Sequence, residues 1–141
     1  MADGFDIREL SKFEKNILKL ANDTMPKESK KFLREQGTKL RKETVSRAKQ
    51  KVKKDTGNYH KSIKRGKVYN YKGNGALAVR VYSSAHHAHL IENGHRQVTP
   101  DGKEIGFISG KHVFEESEKT FSNEHFNDTQ KFIDNMLEKG L

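Results

Sequence analysis

The chain of 141 residues contains no cysteine, which removes disulfide staples, thiolate zinc sites and cysteine nucleophiles together. Long apolar runs are missing as well. No stretch approaches the roughly 18 consecutive apolar residues of a membrane span, so no membrane partner is expected. The first ten residues, MADGFDIREL, lack the basic-then-apolar build of a secretion signal, which makes a cytoplasm the expected place of synthesis. Core-forming side chains are scarce: Leu, Ile, Val and Phe number 31, about 22% of the chain, barely above the roughly 20% below which highly charged chains tend to be disordered. A thick single-chain core is thereby excluded, and packing against further copies becomes a natural source of burial.

Signatures of chemistry are also absent. Ser83, Ser84 and Ser109 sit in no Gly-x-Ser-x-Gly elbow. The glycine-containing turns at 73–75 and 106–110 lack the Gly-x-x-x-x-Gly-Lys-Ser/Thr phosphate cradle, and no carboxylate pair stands out from the solvated background. No enzyme activity and no cofactor is expected. Helix-turn-helix, zinc-finger and aromatic RNA-binding signatures are missing, as are internal repeats, low-complexity tracts and long linkers.

What the chain has is charge: 28 Lys+Arg against 19 Asp+Glu, a formal +9. It is unevenly placed, with +9 over residues 27–54, +5 over 55–91 and −4 over 92–141. A basic middle and an acidic end suit a nucleic-acid partner, and equally a protein that stacks its basic face on an acidic neighbour. The bland reading, a solvated helix exterior, accounts for the same lysines.

Periodicity gives an α+β layout. Leu10, Phe13, Ile17 and Leu20 recur at helical spacing over 6–21, with Asp6 and Glu9 as a cap pair, and Asn22-Asp23-Thr24 is expected to end this helix. Pro26 suits a first helical turn. Leu33, Gly37, Leu40, Thr44, Ala48 and Val52 then form a narrow stripe on a long basic helix, in which Gly37 is expected to admit a close crossing by the first helix. Extended segments follow at 63–71 and 77–83 around a Lys72-Gly73-Asn74-Gly75 turn, with Leu77, Val79 and Val81 on one buried face. A second, more mobile hairpin is expected around Pro100-Asp101-Gly102-Lys103. The expectation is one small antiparallel sheet of three to four strands. Helical period returns from His112 through Val113/Phe114, Ser117 and Phe121, then Phe126, Gln130, Ile133 and Met136/Leu137. The chain reads as one domain over 1–141, with a helical part at 6–54, sheet and loops at 55–110 and a C-terminal helical part at 111–139.

Three of the seven histidines fall in Ala85-His86-His87-Ala88-His89, followed by Glu92 and His95. On a helix His86, His89 and Glu92 would share a face able to take a divalent metal. The spacing matches no ligand signature, and surface or interface histidines explain the cluster more simply. No metal site is assigned.

Three segments in order resemble one family, the small neck and tail-completion proteins of long-tailed bacteriophages. Asp55-Thr56-Gly57-Asn58-Tyr59-His60-Lys61-Ser62-Ile63 is similar to that family's Thr-Gly-x-aromatic/Leu-x-x-Ser-Ile signature. His87-Ala88-His89-Leu90-Ile91-Glu92-Asn93-Gly94-His95-Arg96 resembles its Tyr-Ala-x-x-Val-Glu-x-Gly-x-Arg segment, with His87 in place of the usual Tyr. Gly110-Lys111-His112-Val113-Phe114 resembles the approach to its last helix. Physically, Thr56 can cap the turn after the basic helix, Gly57 can allow a tight approach, and Tyr59, Ser62 and Ile63 lead into the sheet. Leu90 and Ile91 can pack a short helix, Glu92 can accept hydrogen bonds from backbone or Arg96, and Gly94 can end the turn with a left-handed residue.

The resemblance implies a structural virion protein of the phage neck with no turnover. It implies a ring homo-oligomer of six or twelve copies, the hexamer being expected, joining the DNA-filled head (portal and head-closure proteins) to the tail (tail terminator and tail tube) around a channel that DNA crosses. On this reading the sheet makes copy-to-copy contacts and the loop 97–110, with Asp101, Gly102, Phe107 and Ile108, reaches an axial neighbour. Lys39, Arg41, Lys42, Arg47, Lys49 and Lys51 become candidates for incidental contact with DNA in the channel or with an acidic neighbour. The alternative is a basic nucleic-acid-binding protein of a host or prophage.

Overall fold

The computed structural model describes residues 7–53 and 57–140, with side chains from residue 12 onward. Two helices come first. Helix α1 (Ile7–Lys19) runs without interruption through a π turn (Leu20–Thr24) into α2 (Met25–Lys51). The expected break at Asn22-Asp23-Thr24 is therefore a widened turn, in which the Met25 N–H bonds the Leu20 carbonyl five residues back. Pro26 supplies the reason: it has no N–H for the carbonyl four residues earlier and its ring crowds that turn, so one extra residue is accommodated without ending the helix. Asp6 lies outside the described residues, as does the Glu9 side chain, so the cap pair lies there too.

After α2 come the short helix α3 (Asn58–Ser62) and the strands β1 (Ile63–Arg65), β2 (Tyr69–Asn70), β3 (Leu77–Ala78) and β4 (Val81–Ser83). The strands pair antiparallel, β1 with β4 and β2 with β3. They form one interrupted hairpin whose register slips by one residue between the two ladders, bridged by the Gly66 N–H donating to the Arg80 carbonyl at 2.7 Å. The short helix α4 (Ala88–Asn93), the hairpin β5 (Gly94–Val98) and β6 (Glu104–Ser109), and the long helix α5 (Val113–Gly140) complete the α+β chain. In place of one sheet of three to four strands, the described residues hold six strands in separate two-stranded ladders. The sequence marks where strands lie, while the one-residue slip between the two ladders and the insertion of α4 decide that they do not merge.

Helix α5 returns antiparallel along α2. The pairs run in reverse order: Phe32 stacks on Phe132 with centroids 4.5 Å apart, Gln36 reaches Asp128 and Lys39 reaches Glu124, Arg47 donates to Thr120, and Lys51 pairs with Glu116. The acidic C-terminal helix thus neutralises one side of the basic helix within the same molecule. The expected stripe on α2 faces inward, with Gly37, Thr44 and Ala48 buried and Leu33, Leu40 and Val52 half-buried. Gly37, however, is not crossed by the first helix; a Cβ there would lie 2.8 Å from Arg65 Cδ and 3.2 Å from Val79, so the missing side chain admits the β1–β4 hairpin.

The core is thin, as the composition requires. Ala48, Ile63 and Val113 are fully buried, surrounded by the half-buried Val45, Val52, Tyr59, Val81 and Phe114. A second small cluster closes the far end, where Leu20 and Met136 are buried and Gly140 lies so close to Leu20 that a Cβ would approach its Cδ1 to 2.6 Å. On α5 the inner stripe begins as expected with Val113, Ser117 and Phe121, then departs from Phe126, Ile133 and Leu137, which are exposed. It continues instead through His125, Asp128 and Phe132 to Met136. Two polar residues facing inward hide the true phase from any hydrophobic count.

Candidate functional site

The motif residues form a joint where α2, the first hairpin and α5 meet. Gly57 is buried at φ 83°, a backbone conformation that favours glycine, and starts α3. Thr56, with Asp55, lies outside the described residues, so the expected cap does too. His60 Nε2 lies 3.2 Å from the carbonyls of both Ala48 and Val52, so its N–H serves the exposed C-terminal end of α2. Ser62 Oγ donates to the Tyr59 carbonyl and meets Ser83 Oγ across the ladder, and Ile63, fully buried, offers its carbonyl to Arg41 Nε at 2.9 Å. The Tyr59 hydroxyl is buried with no hydrogen-bond partner among the described residues. Burial, with the Glu92 carboxylate as a smaller contribution, pushes its ionisation up to about 12.

Glu92 ties this joint to the last helix. Its two carboxylate oxygens accept the Phe114 and Glu115 N–H groups, each at 2.9 Å, and so cap α5 from 22 residues away in sequence. Four N–H groups at a helix start lack intrahelical partners, and the positive end of the helix dipole favours a carboxylate there. The backbone half of the expectation for Glu92 holds; Arg96 is exposed and makes no hydrogen bond to it among the described residues. Arg96 stands instead opposite Phe107 in the β5–β6 ladder. The chain on either side crosses at two glycines. Gly94 has φ 87° with ψ 175°, a positive-φ extended conformation open to glycine in place of the expected left-handed turn residue, and a Cβ there would sit 2.4 Å from the Ile108 carbonyl oxygen; one on Gly110 would sit 2.3 Å from that of Glu92.

From this anchored crossing the β5–β6 hairpin projects. It has the longest ladder in the described structure, five residue pairs from Gly94↔Ser109 to Val98↔Glu104 with an irregularity at Gln97/Val98. Its tip is held rather than loose. The Thr99 hydroxyl donates to the Asp101 carboxylate and accepts the Lys103 N–H, while the Thr99 and Gly102 N–H groups bond the Lys103 and Thr99 carbonyls. The Thr99 hydrogen bond holds the Asp101 carboxyl below the usual range. Along the arms Val98, Ile105, Phe107 and Ile108 are 57%, 63%, 62% and 40% exposed, an apolar concentration on a segment too thin to bury it itself. Of the loop residues singled out in the sequence, Phe107 and Ile108 lie on β6 and Asp101 and Gly102 at the tip. Val98 and Ile105 belong with them; alternation about the Gly106 strand could have revealed Ile105.

The six basic candidates divide. Lys39, Arg47 and Lys51 are engaged by Asp128, Thr120 with Glu43, and Glu116, and Arg41 bonds the Ile63 carbonyl. Lys42 and Lys49 are exposed and make no ion pair or hydrogen bond among the described residues. The Asp128 and Glu124 carboxylates raise the Lys39 pKa, and Lys39 in turn, with Gln36, holds Asp128 below its usual range. The histidines 86, 87 and 89 lie in or just before α4 without converging. Among the described residues, Glu92, His112 and Glu115 are the group whose ligand atoms lie within 4.8 Å of one another. Glu92 there is already committed to the α5 cap and His112 to Glu115 at 3.0 Å.

A family model described as "Bacteriophage HK97-gp10, putative tail-component" matches residues 11–94, from α1 through the α4 joint and more than half of the chain. No curated protein and no solved structure matches the chain.

Proposed function

The chain belongs to the HK97-gp10-like family of bacteriophage tail components, and from that premise we propose that it is a ring-forming subunit of the phage neck. It is a structural protein of the virion tail; the finer reading is that its copies close into a hexameric ring around the DNA channel. That ring joins head-closure proteins above to the tail terminator and tube below, after assembly in the host cytoplasm, and it carries out no turnover. The observation that carries this is the β5–β6 hairpin, which presents Val98, Ile105, Phe107 and Ile108 to solvent from an anchored base. A hairpin that inserts into a different surface on the next copy or the next ring makes a heterologous contact, and such contacts close into rings when the rotation permits. The thin core supports the same reading, because neighbouring copies supply the burial one chain lacks.

Two measurements test it. Light scattering of the purified protein should give a discrete multiple of the 16.2 kDa chain, and Ile105→Ser with Phe107→Ser should return a monomer that keeps its helical circular dichroism. A phage carrying that double change should yield full heads and complete tails that fail to join in mixed extracts. A wild-type protein that stays monomeric at high concentration, or unaffected joining, would sink the reading.

A further inference from the structure

We infer that the outward face of α2 is a binding surface for the phosphate backbone of duplex DNA. The packing of α2 defines that face. At about 100° per residue, Phe32, Gln36, Lys39, Arg47 and Lys51 form the side that meets α5. Gly37, Thr44 and Ala48 lie toward the strands and the core. The remaining side carries Lys27, Lys31, Arg34, Arg41, Lys42 and Lys49, all exposed except the half-buried Arg41. Among the described residues none of the six is in an ion pair. Glu28 and Glu35 lie at the edge of this row, and among the described residues neither forms an ion pair with it. Tertiary structure has therefore sorted one run of like charge into a neutralised side and an unneutralised one.

The shape of the unneutralised side selects the partner. From Lys27 to Lys49 it runs about 33 Å along the helix at 1.5 Å per residue, close to the roughly 34 Å of one duplex turn. It ends at a cleft of about 520 Å³ lined by Arg41, Val45, Lys49, Gly57, His60 and Lys61, with no carboxylate among them. A protein interface core is depleted in lysine and enriched in aromatic residues. This row is mostly lysine with no aromatic side chain, which suits a uniform line of phosphates read by charge alone. The inference does not depend on ring formation.

The test is binding of the full chain to a fluorescent duplex of about 20 base pairs, two turns, over a range of salt. The expected slope of log K against log salt is about −5, from roughly −0.9 for each of six phosphates. Lys31→Gln, Arg34→Gln and Lys42→Gln together should leave about half that slope at an unchanged melting temperature. Lys39→Gln with Lys51→Gln should leave the slope intact. The inference is overturned by absence of salt-dependent duplex binding, by equal losses in the two variants, or by polyglutamate binding more tightly than duplex, which would assign the face to an acidic protein. Head-to-tail joining is a separate readout, so the neck reading can fail while this stands.

Discussion

Glu92 concentrates more structure on one side chain than any other residue of the joint. It accepts two backbone N–H groups at the start of α5, so Glu92→Ala leaves both without those acceptors. The expected cost is about 1–2 kcal/mol, read from the midpoint of urea unfolding, with α5 fraying first in hydrogen exchange. Tyr59 gives a second test at this scale. Its ionisation lies at about 12 against an ordinary 10.0 because the hydroxyl is buried, so the folded state holds the proton longer than the unfolded chain. The contribution is fully present below pH 10 and declines as pH rises toward about 12. Absorbance titration should show one of the four tyrosines ionising late, and Tyr59→Phe should flatten the alkaline loss of stability. A Tyr59 that titrates with the others would contradict its burial.

At the scale of elements, the α2–α5 pair is held by a polar clamp as much as by apolar contact. Gln36, 4% exposed, donates to Asp128 at 2.9 Å and accepts from His125 Nδ1 at 2.7 Å. Asp128 also accepts from Lys39 at 2.8 Å. Gln36→Ala should destabilise by about 1–3 kcal/mol, since it leaves the His125 N–H without its acceptor in a half-buried site. Thr38→Ala, on the exposed side, should be near neutral in the same denaturation experiment. This clamp also shows why part of the fold escaped a reading of the sequence. The stripe of α5 was legible through Val113, Ser117 and Phe121, where apolar or small residues mark the inward face. Beyond Phe121 the inward positions are His125 and Asp128, and a hydrophobic count shifts to Phe126 and Ile133, which face outward. The π turn escaped for a related reason: Asn22-Asp23-Thr24 has helix-ending chemistry, yet continuation costs only one wide turn when α5 packs on Leu20.

At the scale of the whole molecule, opposite charges between α2 and α5, and within α5 itself, couple stability to acid. Lys119, Lys51 and Lys39 respectively hold the Glu115, Glu116 and Asp128 carboxyls below their usual values, chiefly through hydrogen bonds. Groups with depressed folded-state values stabilise above their unfolded range and lose that contribution as pH falls through it. The melting temperature should be flat above the ordinary 4.5 of glutamate and fall below it. The fall should be shallower in a Lys39→Gln, Lys51→Gln variant, which has less to lose. With so few fully buried apolar residues, melting should also rise with protein concentration if copies complete the core.

Composition alone excluded disulfides, membrane-spanning runs and a thick core, because these depend on residue types and counts that folding cannot change. Local pattern placed both hairpin turns, the long basic helix and the Gly57 to Ile63 joint, because turn and helix chemistry act between near neighbours in the chain. The partner of Glu92, the sorting of the lysines on α2 and the exposure of the β5–β6 arms depended on which distant segments meet. Lys39 and Lys42 are chemically alike three positions apart, yet only Lys39 faces the acids of α5. That difference is set by the packing angle of two helices and is carried by no residue of the sequence on its own.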